Sequence, residues 1–304
     1  MKSNVWFVLL SLTGLALAGC GRSTDSMQAS STAPPTGSDQ AQVASVLAAN
    51  PDYVNEDLYA SQQAQSYEQA SGLAAIRPLN FWRVITNVET TFDTEFGPPD
   101  STGRPTRALV TIHRHLTGTF NIAALVLSPT DTTRTRIQKP LDDAWTRRIA
   151  LVRLPDRMDP AITRWRLAGT SGVDVHTRGG VTQVKSLRIQ TAELDTTITD
   201  PLELHRLRRI VLLQAGEPVT LTATTGNAGD VVLFYGFDMR RKFTNNGDGT
   251  FTFTFPAGRF PGLRHFGVDA LSHGTLFDDT AAYDSHAWVF PFAVDPQRAP
   301  VDAQ

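Results

Sequence analysis

Near the C-terminus stand side chains of the types that hold metal ions or move protons: His265, Asp269, His273, Asp278, Asp279, Asp284 and His286. Neutral imidazole and ionised carboxylate are the usual ligands of divalent zinc, manganese or iron, and a metal held there would lower the pKa of a bound water for hydrolysis. Strand alternation puts His265 and Asp269 on one face, with the stretch from Ser272 to Ser285 able to fold back over them. The same residues equally suit an irregular loop pinned by aspartates accepting from backbone amides. His113 and His115 also share a strand face, but Val110 and Ile112 occupy the opposite phase, so both imidazoles fall with Thr111 on the solvent side. Asn245 to Gly249 has the composition of a calcium loop, yet Pro256 stands where an EF-hand needs its last glutamate, between flanks that read as strands. Gly169-Thr170-Ser171-Gly172 lacks the nucleophile-elbow spacing, and no GxSxG, HExxH or GxxxxGK[ST] pattern occurs. Trp82, Trp145, Trp165 and Trp288 either stack on a sugar or fill a β core.

The chemistry of Cys20 is of another kind. As the only cysteine it excludes an intramolecular disulfide and a CxxC site. Ahead of it lie Lys2, an apolar run from Val5 to Ala18 and then small residues, the pattern of a secretory signal; the run is shorter than the ~20 residues that span a bilayer. Leu17-Ala18-Gly19-Cys20 resembles the lipobox of bacterial lipoproteins. That resemblance implies cleavage of residues 1–19, a diacylglycerol on the Cys20 sulfur and an acylated new N-terminus, several acyl chains anchoring far more firmly than one. With Gly21 and not aspartate after the cysteine, it implies a cell-envelope protein of the outer membrane, facing the periplasm or the cell surface.

These residues need elements to position them. Residues 20–42 are rich in Ser, Thr, Ala, Pro and Gln and read as a disordered tether, a coil of roughly 25 Å span. Residues 43–77 read as a helical linker, with helices over 41–49 and 55–75 on either side of Asn50-Pro51-Asp52. Beyond Pro78 the pattern is β: Phe81–Phe92, Arg107–His115, Thr119–Leu127, Arg148–Leu154, Thr163–Ala168, Val173–Thr177 and Val184–Thr191 are short runs separated by Gly, Pro, Asp or Thr. Residues 200–208 suit a short helix or a strand.

From Gly216 onward, Val219, Leu221 and Ala223 alternate, Val231–Phe237 suits a central strand, and Asn245 to Gly249 turns a hairpin into Phe251, Phe253 and Phe255. Phe266, Val268 and Ala270 share one face; Trp288, Phe290 and Phe292 share another. Phe266-Gly267-Val268-Asp269-Ala270 resembles the penultimate strand of an immunoglobulin-like sandwich. The expected fold is therefore mainly β, with two β-sandwich-like domains over 78–215 and 216–296, and 297–304 as a disordered tail.

A net charge of −2 and a pI of about 6.4 exclude a general nucleic-acid binder. The function expected is a structural or binding role towards an envelope protein or glycan, held at the membrane by lipid and needing no cofactor; a divalent-metal hydrolase is the alternative.

Overall fold

The computed structural model describes residues 37–54, 65–66, 76–127, 132–155, 158–159, 162–207, 210–236, 239–258, 260 and 262–295. The leader, Cys20, most of the tether and the tail lie outside them. All described residues belong to one compact unit, Pro35–Gln304.

The first helix begins inside the stretch expected to be tether. Helix α1 spans Gly37–Ala48, and Asn50-Pro51 turns the chain into α2, Pro51–Val54. Asp39 explains the early start: its carboxylate is buried against the Arg153 guanidinium and accepts from Trp165 Nε1 at 3.3 Å, while Val43 and Leu47 bury beside it. Of the second expected helix only Gln65–Ser66 is described, and it is strand β1, paired antiparallel with Phe81 and Asn80. No helix among the described residues is long and apolar enough to cross a membrane.

The strands that follow are longer than the sequence runs suggest. They are β2 (Ile76–Phe96), β3 (Arg107–Leu127), β4 (Thr132–Pro155) and β5 (Thr163–Thr177), an antiparallel meander. The apparent break at Thr117-Gly118 is a close approach and not an end. Strand β2 shifts register between Ile85 and Asn87 opposite this point, and a Cβ on Gly118 would overlap the Val84 carbonyl oxygen. Glycine inside a strand commonly marks such a contact.

Shorter strands complete the fold: β6 (Val184–Gln190), β7 (Asp195–Ile198), β8 (His205–Arg206), β9 (Val211–Gln214), β10 (Pro218–Thr225), β11 (Val231–Gly236), β12 (Met239–Lys242), β13 (Thr244–Asn245), β14 (Thr250–Pro256), β15 (Gly262–Leu271) and β16 (Ser285–Asp295). Helix α3 (His273–Phe277) lies between the last two. The hairpin from β13 to β14 forms around Gly247 and Gly249, both at positive φ.

Two sheets result. The eleven-stranded sheet runs β1-β2-β3-β4-β5-β16-β15-β11-β12, with β8 beside β5 and β9 parallel to β16. The five-stranded sheet runs β13-β14-β10-β6-β7. Strands from both sides of residue 216 enter both sheets: β16 pairs with β5, and β10 pairs with β6.

Alternation divides the apolar residues between two cores. In the first, Phe81, Val110, Ile112, Phe120, Trp145 and Ile149 of the meander meet Val231, Leu233, Leu271 and Val289. Those residues come from opposite ends of the strand order, so the large sheet curls to enclose them, with α1 and α3 closing the space. In the second, Val232, Phe234, Phe266, Val268, Trp288 and Phe290 face Leu187, Leu221, Ala223, Phe251 and Phe255 of the small sheet. Strand β11 thus has a core on each face and is buried throughout, which is why its sequence shows no polar phase. Each large apolar side chain buried this way contributes about 1.5–3 kcal/mol.

Candidate functional site

The C-terminal histidines and aspartates disperse into distinct surroundings. Asp269 is fully buried on β15, ion-paired to Arg83 Nη1 of β2 at 2.8 Å, and accepts from the Tyr235 hydroxyl. Arg83 also donates to Tyr235 Oη at 2.8 Å and, through Nε, to Tyr283 Oη at 3.0 Å. Tyr283 in turn donates to Asp143 Oδ2 at 3.1 Å, whose other oxygen accepts from Thr177 Oγ1 at 2.9 Å. Burial pushes the Tyr235 phenol up to about 12 and that of Tyr283 higher still, so both remain neutral hydrogen-bond donors. This network ties the first strand of the meander to β11, β15 and the segment before β16. It is a clasp inside the curled sheet, which the segment from Ser272 to Ser285 joins through Tyr283 and its bonds to Arg83 and Asp143.

The other residues serve the backbone or neighbouring strands. Asp284 accepts from the amides of Val181 and Thr182, both at 3.2 Å, fixing the turn before β6. Asp278 accepts from Thr280 N at 2.8 Å and Ala281 N at 3.2 Å at the end of α3, and Asp279 is exposed beyond it. The backbone oxygens of Gly274 and Asp278 receive the buried Lys139 ammonium at 2.9 and 2.6 Å. Its burial pushes it down to about 8. His273 opens α3 with its ring 4.6 Å from that of Phe277. His265 stands opposite Pro291 on β15. No group of three or more His, Cys, Asp or Glu side chains among the described residues is arranged to hold a metal ion.

His286 points to a grouping that sequence reasoning missed. The Val184 amide donates to its Nδ1 at 2.8 Å, which leaves the ring proton on Nε2, 2.7 Å from Asp174 Oδ1. Trp288 Nε1 donates to the same oxygen at 3.0 Å, and Asp174 Oδ2 lies 3.1 Å from His176 Nδ1. Burial alone would raise the Asp174 carboxyl; hydrogen bonds from His176 and His286 outweigh it and hold the group well below the usual carboxylate range. The bond to Asp174 raises the His176 imidazole above its ordinary value, against the opposing effect of burial. With both ring nitrogens engaged, His286 pins β5, β6 and β16 and has no lone pair left to activate a nucleophile.

Cross-strand register extends this grouping into a row. Glu89 of β2 stands opposite His115 of β3, His115 opposite Ala144 of β4, Ala144 opposite His176 of β5, and His176 opposite His286 of β16. His115 Nε2 is 2.7 Å from Asp142 Oδ1 and 3.2 Å from Arg178 Nη1, and His113 Nε2 is 3.3 Å from Asp93 Oδ2. From Glu89 to His176 the row lies on the outer face, opposite Val110, Ile112, Val173 and Val175, which enter the first core, and at His286 it runs in against β6 of the small sheet. His113 and His115 thus occupy the polar phase that alternation assigns them. What alternation does not supply is which strands are neighbours, and Asp174 and His176 become visible only once β5 is seen beside β16. The result is a polar sheet face able to donate and accept hydrogen bonds along a line of imidazoles and carboxylates.

Three of the four tryptophans among the described residues take core roles. Trp145, Trp165 and Trp288 are buried, and Trp82 lies beneath the Arg136 guanidinium at 5.2 Å. No protein-family model, curated protein or solved structure matches this chain.

Proposed function

We propose that this chain is a lipid-anchored protein of the bacterial cell envelope, attached through Cys20 to the outer membrane, whose β-rich body binds an envelope partner. The single observation that carries the binding reading is the row from Glu89 through His115 to His176, which ends against the half-buried His286. It sets paired imidazoles and carboxylates across the four adjacent strands β2 to β5 on an outward sheet face. A protein partner suits this face better than a glycan, because Trp145, Trp165 and Trp288 are spent in the cores and are not offered for sugar stacking. The lipobox-like Leu17-Ala18-Gly19-Cys20 supports the anchor. The packing of β10 and β14 against β11, β15 and β16 supports an immunoglobulin-like reading, with Phe266–Ala270 in the strand before the last, although its sandwich also takes β6 from before residue 216.

Fractionation tests the anchor and cross-linking tests the face. Cys20→Ser should move the chain from the membrane to the soluble fraction and delay its processing; an unchanged membrane fraction contradicts lipidation. A photo-reactive residue at position 113 should give discrete protein adducts that the same residue at buried position 110 does not. Equal labelling from both positions removes the case for a binding face.

A further inference from the structure

Strand β2 has a second property that the outer face alone does not explain. Beyond its short pairing with β1 at Asn80 and Phe81, its only neighbour among the described residues is β3. From Thr86 to Asp93 it is exposed residue after residue. Its two side-chain rows differ sharply. Glu89, Asp93 and Glu95 project to the outer face, the first two remaining 68% and 71% exposed beside His115 and His113. Val88 and Phe92 project to the other face at 50% and 53% exposure. Phe92 and Thr94 also form one wall of an apolar cleft of 460 Å³, whose other wall is Val43, Leu47, Pro51 and Val54 of the two helices. An edge strand presents unpaired backbone amides and carbonyls, and a long exposed one is a template for another strand. Added strands gain affinity from the main chain and specificity from pockets that take alternate side chains.

We infer that the Thr86–Phe96 edge of β2 receives an extended segment of a partner protein in which apolar and basic residues alternate. This rests on the binding reading above and names the class of partner. The apolar row of such a segment meets Val88, Phe92 and the cleft, and the basic row meets Glu89, Asp93 and Glu95.

Charge disfavours the simpler occupants. Two copies of this edge paired antiparallel about Thr91 would set Glu89 directly against Asp93, and like charges so placed are destabilising. The stretch 55–75 carries Glu56, Asp57 and Glu68 with no lysine or arginine.

The test uses the full-length chain in nonionic detergent and two labelled peptides with blocked ends, one alternating lysine and valine, the other glutamate and valine. Fluorescence anisotropy should show the lysine peptide binding at least about tenfold more tightly than the glutamate peptide. The double variant Glu89→Lys with Asp93→Lys, both at exposed positions, should reverse that order. Phe92→Ser should weaken both peptides through the cleft. Amide hydrogen exchange across 86–96 should slow when the lysine peptide is bound. Binding without that protection is electrostatic coating and overturns strand addition, as does no binding, or a preference that survives the charge reversal. If these fail while position 113 still cross-links to a protein, the edge inference falls and the outer-face reading stands; loss of both removes the binding role.

Discussion

Asp174 gathers hydrogen bonds from His176, His286 and Trp288, and its bond to His176 couples the site to pH. The His176 imidazole is raised above 6.5 chiefly by its bond to Asp174. In the folded state the ring therefore keeps its proton at pH values where the unfolded chain has released it. The stabilisation is complete below about pH 6.5 and is lost as pH rises through the folded value. Asp174 behaves in the opposite sense, its contribution being present above the ordinary carboxylate range and lost only in strong acid. An NMR titration should place the His176 midpoint above 6.5, and Asp174→Asn should bring it back. The melting difference between parent and Asp174→Asn should also be larger at about pH 5.5 than at about pH 8.5. An unmoved His176 midpoint in the variant refutes the coupling. Asp174 and His176, two residues apart, share a strand face, but the pairing with His286 could not be read from residue spacing, because His286 lies far along the chain and only the adjacency of β5 and β16 joins them. Asp269 shows the converse: its chemical type suggests a metal ligand, but full burial against Arg83 makes it part of a clasp, where removing one partner would leave an uncompensated charge.

At the scale of elements, legibility follows from how many faces of a strand are apolar. The phases of β10, β14, β15 and β16 are plain in the sequence because Leu221, Phe251, Phe266 and Phe290 all point into one core. The meander hides its continuity because β4 also buries Asp143 and Arg147, polar types that read as interruptions. Gly118 hides it further, being a strand breaker by type and a contact point by position. Gly118→Ala is expected to destabilise by about 1–3 kcal/mol or more, since the methyl must displace the backbone of β2. Gly226→Ala is the comparison, its added Cβ meeting only Gln183 Cβ at 3.9 Å. Chemical denaturation should show it within roughly 0.5 kcal/mol of the parent. Equal effects at the two sites would mean that the β2 register shift does not press on Gly118.

At the scale of the whole molecule, the question is whether residues 216–296, which read as a domain, can fold alone. The second core draws Val184, Leu187, Ile189 and Leu213 from before that boundary. Without them β10 loses its neighbour β6, and β16 loses both β5 and β9. The fragment would also bare the first-core faces of β11, β15 and β16, including Val231, Leu233, Leu271 and Val289. Asp269 would be left without Arg83, and one new edge strand would appear in each sheet, each inviting aggregation. An isolated 216–296 fragment is therefore expected to show poorly dispersed NMR amide signals and no sharp melting. The full chain should unfold in a single transition, because β11, β15 and β16 have a face in each core and neither core can be lost without exposing the other. A fragment that melts cooperatively would show that the strands shared across residue 216 are additions to a self-sufficient sandwich. Failure of the fragment, with one transition in the full chain, would make the β2 edge and the histidine row parts of the same cooperative body that the small sheet stabilises.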